Sequence, residues 1–88
     1  SLPKVWRDGE YIGLVARGNF EIYAVWKNGQ ATSFKIHSKS GGTCKIKYPG
    51  ISDAQIKDAS GEVIHFNVES ADLIGFKTEK GEQYFVIL

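Results

Sequence analysis

The chain has 88 residues, a net charge of +1 and 42% hydrophobic residues, which fits one small domain with a single core and argues against disorder. Acids and bases are interspersed without a basic block, so charge gives no reason to invoke nucleic acid or a membrane surface, and no apolar run approaches the roughly 18 residues of a membrane helix. The one cysteine, Cys44, cannot form an internal disulfide and leaves the compartment unreported, and the start at Ser1 reads as an excised fragment or processed product.

No window shows a helical period. Short alternating runs, rich in β-branched and aromatic residues and bounded by Gly, Asn, Asp and Ser, predict strands throughout. Phe20, Ile22, Ala24 and Trp26 alternate with Glu21, Tyr23 and Val25. Phe34, Ile36 and Ser38 alternate with Lys35 and His37, and Cys44, Ile46 and Tyr48 with Thr43, Lys45 and Lys47. Val63 to Val68, Leu73 to Thr78 and Gln83 to Leu88 follow. Turn signals fall at Asp8-Gly9, Asn28-Gly29, Gly41-Gly42, Pro49-Gly50, Ser60-Gly61 and Lys80-Gly81. Their spacing predicts an all-β fold, a small antiparallel β-sandwich of about seven to eight strands in a single domain spanning residues 1–88.

The Asn28-Gly29 turn is resolved by register. A two-residue loop would pair Lys27 with Gln30 and so set Ile22 opposite Lys35, a lysine on the face of Phe20 and Trp26. A three-residue loop, Lys27-Asn28-Gly29, pairs Trp26 with Gln30, Ile22 with Phe34 and Phe20 with Ile36, and gathers the apolar residues on one face. The expected hairpin is therefore a type I turn with Gly29 as the left-handed bulge residue. Its outer face then carries Glu21, Tyr23, Val25, Ala31, Ser33, Lys35 and His37. Tyr23 and Val25 make that face semi-apolar, which leaves three readings: a stray aromatic, a docking patch for another domain, or a sugar-stacking platform.

Signals for catalysis are weak. His37 and His65 lie in strand-like runs and are expected to face solvent, and nothing places a nucleophile, base and orienting group together. Cys44 sits on an apolar face and is expected to be a buried small hydrophobe. A glycosidase needs two carboxyl groups flanking a cleft. Of the ten acidic residues, Asp8, Asp58, Glu62, Glu79 and Glu82 lie at turns, whose chemistry accounts for them. There is no Cys-x-x-Cys, no His-x-x-x-His, no calcium-loop pattern across Asp53 to Asp58 and no phosphate loop, so no metal or cofactor is expected. Trp6, Tyr11, Tyr23 and Trp26 are the aromatics a carbohydrate-binding surface would use, although any small β domain needs aromatics for its core.

The segment from Leu2 to Gln30, with the later SKSGGTCKIKY, resembles the C-terminal β domain of glycoside hydrolase family 95, the α-L-fucosidases and related α-galactosidases. The residues that carry the resemblance are Leu2-Pro3, Trp6, Asp8-Gly9, Gly13-Leu14, Ala16-Arg17-Gly18, Phe20-Glu21-Ile22, Trp26-Lys27-Asn28-Gly29 and Gly41-Gly42-Thr43-Cys44. The second half, with Phe76-Lys77-Thr78 and Gly81 to Tyr84, fits more loosely. The resemblance implies a parent enzyme with an N-terminal β domain, a catalytic (α/α)6 barrel and this C-terminal domain. It places the catalytic residues in the barrel, so the domain alone is expected to be inactive, and it implies a secreted or periplasmic enzyme acting on fucosylated glycans. Family members often carry acids on the outward face of the Phe-Glu-aliphatic strand, whereas here that face reads Glu21, Tyr23, Val25, which favours apolar docking. Arg17 is read as scaffold, as a tie to the barrel, or as a sugar contact. Candidate interface or glycan-contact residues are thus Trp6, Tyr11, Arg17, Tyr23 and Val25. The leading expectation is an accessory domain that packs against and stabilises the barrel; the alternative is a carbohydrate-binding module that holds the enzyme on its glycan.

Overall fold

The computed structural model describes residues 4–7 and 15–88, with residues 4–7, 15 and 17 placed by backbone alone. Among the described residues the strands are β1 (Lys4–Arg7), β2 (Val15–Arg17), β3 (Phe20–Lys27), β4 (Gln30–Ser38), β5 (Gly42–Lys47), β6 (Gln55–Asp58), β7 (Val63–Ile64), β8 (Asn67–Ser70), β9 (Leu73–Thr78) and β10 (Gln83–Ile87), with one 3-10 turn at Ile51–Asp53. Two antiparallel sheets form, one in the order β1-β3-β4-β10-β6-β7 and the other β2-β5-β9-β8. The all-β antiparallel sandwich is as expected, and eight of its strands have four or more residues.

Period-two burial builds the core. The first sheet contributes Phe20, Ile22 and Ala24 from β3, Phe34 and Ile36 from β4, Ile56 from β6, and Tyr84 and Val86 from β10. The second answers with Ala16, Cys44, Ile46, Ile74 and Phe76. Phe76 and Tyr84 meet edge to face across the layers, with ring centroids 5.5 Å apart.

The β3–β4 hairpin departs from the expected register. Its loop has two residues, since Lys27 pairs with Gln30 and Trp26 with Ala31. Asn28 and Gly29 take φ of 54° and 78°, the left-handed pair that a tight hairpin turn demands. A bulge then places the extra residue in β4, where the pairing jumps to Val25 with Ser33. Ile22 consequently faces Ile36 and Ala24 faces Phe34, two residues away from the expected partners. Beyond the bulge a shift of two preserves side-chain parity, so Phe20, Ile22 and Ala24 still share a face with Phe34 and Ile36; between bulge and turn the shift is one, and Ala31, expected on the outer face, lies opposite Trp26 and packs against the core. Thr32, at the bulge, donates its hydroxyl to the Val25 carbonyl at 3.2 Å.

Two further segments differ. The run Val63 to Val68 is not one strand: β7 pairs with β6 in the first sheet, β8 pairs with β9 in the second, and His65-Phe66 crosses between them. Strand β6 has one fully buried side chain, Ile56, so no period announces it. Its turn is held by Asp58, whose Oδ1 accepts from the Ser60 hydroxyl at 2.6 Å and from the amides of Ser60 at 2.9 Å and Glu62 at 3.0 Å. The Ser60 hydroxyl, followed by the Glu62 amide, holds the Asp58 carboxyl below its ordinary value of 3.8.

One end of the sandwich is closed by a buried polar hub. Thr78 donates its hydroxyl to the Gly42 carbonyl at 2.6 Å. The Ser38 hydroxyl, 2.8 Å from Thr78 Oγ1, must therefore donate to Thr78, and it accepts from the Gly41 amide at 3.0 Å. Ser38→Ala strands the Gly41 amide and should cost about 1–3 kcal/mol in urea unfolding. Adding Thr78→Val to Ser38→Ala should cost less than Thr78→Val alone, because the two hydroxyls share one network. For Asp58→Ala the expected signature is in pH. A carboxylate with a lowered folded pKa stabilises fully above its unfolded value and loses that contribution as pH falls through the folded one. The gap in urea midpoint between wild type and Asp58→Ala should be full at neutral pH and should narrow below about pH 3.8.

Candidate functional site

The two outer faces differ in chemistry. That of the second sheet carries Thr43, Lys45, Lys47 and Lys77, all exposed, with Lys45 Nζ 3.2 Å from Glu69 Oε2. This is a solvated face. In the first sheet one cross-strand row runs Tyr23, Lys35, Phe85, Lys57 and Val63 over β3, β4, β10, β6 and β7. The next row sets Val25 and Ile87 either side of Ser33. Tyr23 and Phe85 are half-buried, and Val25, Ile87 and Val63 are 38%, 42% and 45% exposed. Lys35 Nζ lies 5.6 Å from the centroid of the Tyr23 ring, so a cation covers that aromatic face. At the rim, Glu21 binds His37 Nδ1 at 3.2 Å and Lys39 Nζ at 3.8 Å.

Of the five residues singled out from the sequence, four lie in described strands. Tyr23 and Val25 share the outer face of the first sheet. Trp6 lies in edge strand β1 opposite Ile22. Arg17 lies in β2, the edge of the other sheet, opposite Lys45. Tyr11 lies outside the described residues. Sequence reasoning missed Phe85 and Ile87, although Tyr84-Phe85-Val86-Ile87-Leu88 is a continuous apolar run, the mark of a strand covered on both faces.

A second feature opens at the end of the sandwich away from Ser38. A groove of about 430 Å³ lies between the β3–β4 hairpin, which supplies Trp26 and Gln30, and the β5–β6 crossing, which supplies Tyr48, Pro49 and Asp53; Leu88 completes the lining. Trp26 and Tyr48 each pack on the core while lining the groove. Tyr48 meets Phe34 edge to face with centroids 5.1 Å apart. The crossing is fixed from below by Ile51, which is fully buried. Asp72 fixes it from the side, since its carbonyl accepts from the Tyr48 amide and its Oδ1 from the Gly50 amide, both at 2.9 Å.

His65 is exposed in the crossing between sheets, and His37 is part of the Glu21 cluster. Cys44 is a free thiol inside the core, and burial pushes its pKa up to about 12. A thiol held in that form is a poor nucleophile. Among the described residues no group of three or more His, Cys, Asp and Glu is arranged to hold a metal ion.

The fold and its surfaces define a β-sandwich domain whose polar chemistry lies in turns and whose apolar surplus lies on one outer face and in one end groove. The family model for the glycoside hydrolase family 95 C-terminal domain matches residues 1–86. The chain belongs to that family, as its C-terminal domain. A search of curated proteins returned no significant match. The burial of Cys44 gives a direct check on the core. Iodoacetamide at pH 8 should leave the native thiol unmodified over hours and label it fully in denaturant; rapid native labelling would show that the sheets separate readily at β5.

Proposed function

We propose that this is the non-catalytic accessory domain of an α-L-fucosidase-like or α-galactosidase-like enzyme of the family, and that it docks through the outer face of its first sheet on the catalytic helical barrel of the same parent chain and stabilises it. The observation that carries the reading is β10. This strand lies inside the first sheet between β4 and β6, yet it is apolar on both faces, with Tyr84 and Val86 inward and Phe85 and Ile87 outward. A strand of that composition is normally covered on both sides. The outward residues join Tyr23 and Val25 in one contiguous patch, and Lys35 and Lys57 offer ammonium groups to carboxylates on a facing surface. Membership of a glycoside hydrolase family supplies the kind of neighbour such a patch would meet. A periplasmic or extracellular location goes with the same reading.

The test is reconstitution from separately expressed parts of the parent enzyme. The wild-type domain should bind the catalytic part and raise its melting temperature. Tyr23→Glu with Phe85→Glu should weaken that association by about tenfold or more while leaving the isolated domain folded, since both side chains face outward. Equal binding by the double variant would sink this docking face.

A further inference from the structure

We propose that the groove between Trp26 and Tyr48 is a saccharide-binding subsite that takes one neutral pyranose ring. The proposal rests on the family membership and not on the docking of the first sheet. Its volume, about 430 Å³, lies within the range of small-ligand sites. Its walls pair the two kinds of surface a sugar presents. Trp26, Tyr48 and Pro49 supply the apolar faces on which the C–H side of a pyranose packs, and Asp53 and Gln30 supply acceptors and donors for ring hydroxyls.

The groove also differs from the other aromatic surface. Tyr23 and Phe85 are separated across the sheet by Lys35, whose ammonium already lies over the Tyr23 ring. Stacking a sugar there would require displacing that cation. In the groove, Tyr48 is held by its edge contact with Phe34 and by its own amide on Asp72, so the platform is fixed before a ligand arrives. Preorganisation of this kind lowers the ordering cost of binding. The carboxylate of Asp53 selects against uronates and sialosides, whose own carboxylates it would repel, which leaves neutral sugars as the class.

The experiment is an amide NMR titration of the 88-residue domain, which carries its own core, with three probes: methyl α-L-fucoside, methyl α-D-galactoside and methyl β-D-glucoside. At least one should give saturable shifts in the millimolar range, confined to Gly29, Gln30, Gly50, Asp53 and their neighbours. Asp53→Ala should weaken that probe about tenfold or more. Asp53 is exposed, so its replacement leaves the fold intact, whereas truncating Tyr48 would disturb the core. Flat titrations with all three probes would overturn the proposal, as would shifts centred on Tyr23 and Phe85 or unchanged binding by Asp53→Ala. Flat titrations and unchanged binding by Asp53→Ala leave the docking of the first sheet untouched, since it is read by association of the two parts of the parent enzyme; shifts centred on Tyr23 and Phe85 would instead make that face a sugar platform.

Discussion

Ser38 is the point on which the closed end of the sandwich depends. It is the last residue of β4 and is fully buried, yet every polar atom it owns is used. Its amide donates to the Glu82 carbonyl at 3.0 Å, and its carbonyl accepts from the Gly81 amide at 2.7 Å. Its hydroxyl binds Gly41 and Thr78. These bonds tie together the turn that leaves the first sheet after β4 and the turn that returns to it before β10. A two-layer β domain must pass its chain between layers, and each passage exposes backbone that neither ladder can satisfy. Here one buried serine answers for two passages. The Tyr84 hydroxyl helps, accepting from the Glu79 amide at 2.8 Å.

The open end is managed differently. The β5–β6 crossing satisfies its backbone with a 3-10 turn and with Asp72, and Tyr48, Pro49 and Asp53 of that crossing line the groove. The opposite wall is the tight hairpin at Asn28-Gly29. The bulge in β4 sits immediately beside it, and bulges re-aim side chains next to sites. The groove is thus a product of two local devices, a left-handed turn and an acid-clamped crossing, at the end where hydroxyl chemistry does not seal the layers.

Side-chain parity was legible in the sequence, and register was not. The alternation of Phe20, Ile22 and Ala24 with Glu21, Tyr23 and Val25 correctly divides inside from outside, because period two is a property of the strand alone. The pairing of Ile22 with Ile36 depends on where one extra residue is stored, and a turn residue and a strand bulge are equivalent for parity. The same limit explains the run from Val63 to Val68. Its apolar residues predict strand, but the crossing at His65-Phe66 changes sheet, and no local pattern records which sheet a strand joins. The groove was out of reach for a further reason. Its lining comes from residues 26 to 31, 48 to 54 and 88, and only the stacking of the layers brings them together. Of its members, Trp26 alone stood out from the sequence as a possible sugar contact.

Size makes the apolar outer face informative. A chain of 88 residues buries a modest share of its surface and can ill spare large side chains outside its core. Yet β10 places Phe85 and Ile87 outward in the interior of the larger sheet, beside Tyr23 and Val25, while the smaller sheet is clad in lysines. Lys35 holds its ammonium 5.6 Å from the centroid of the Tyr23 ring, so the patch carries charge beside its apolar side chains. The surplus of apolar side chains on one outer face only is therefore what sets the two sheets of the sandwich apart.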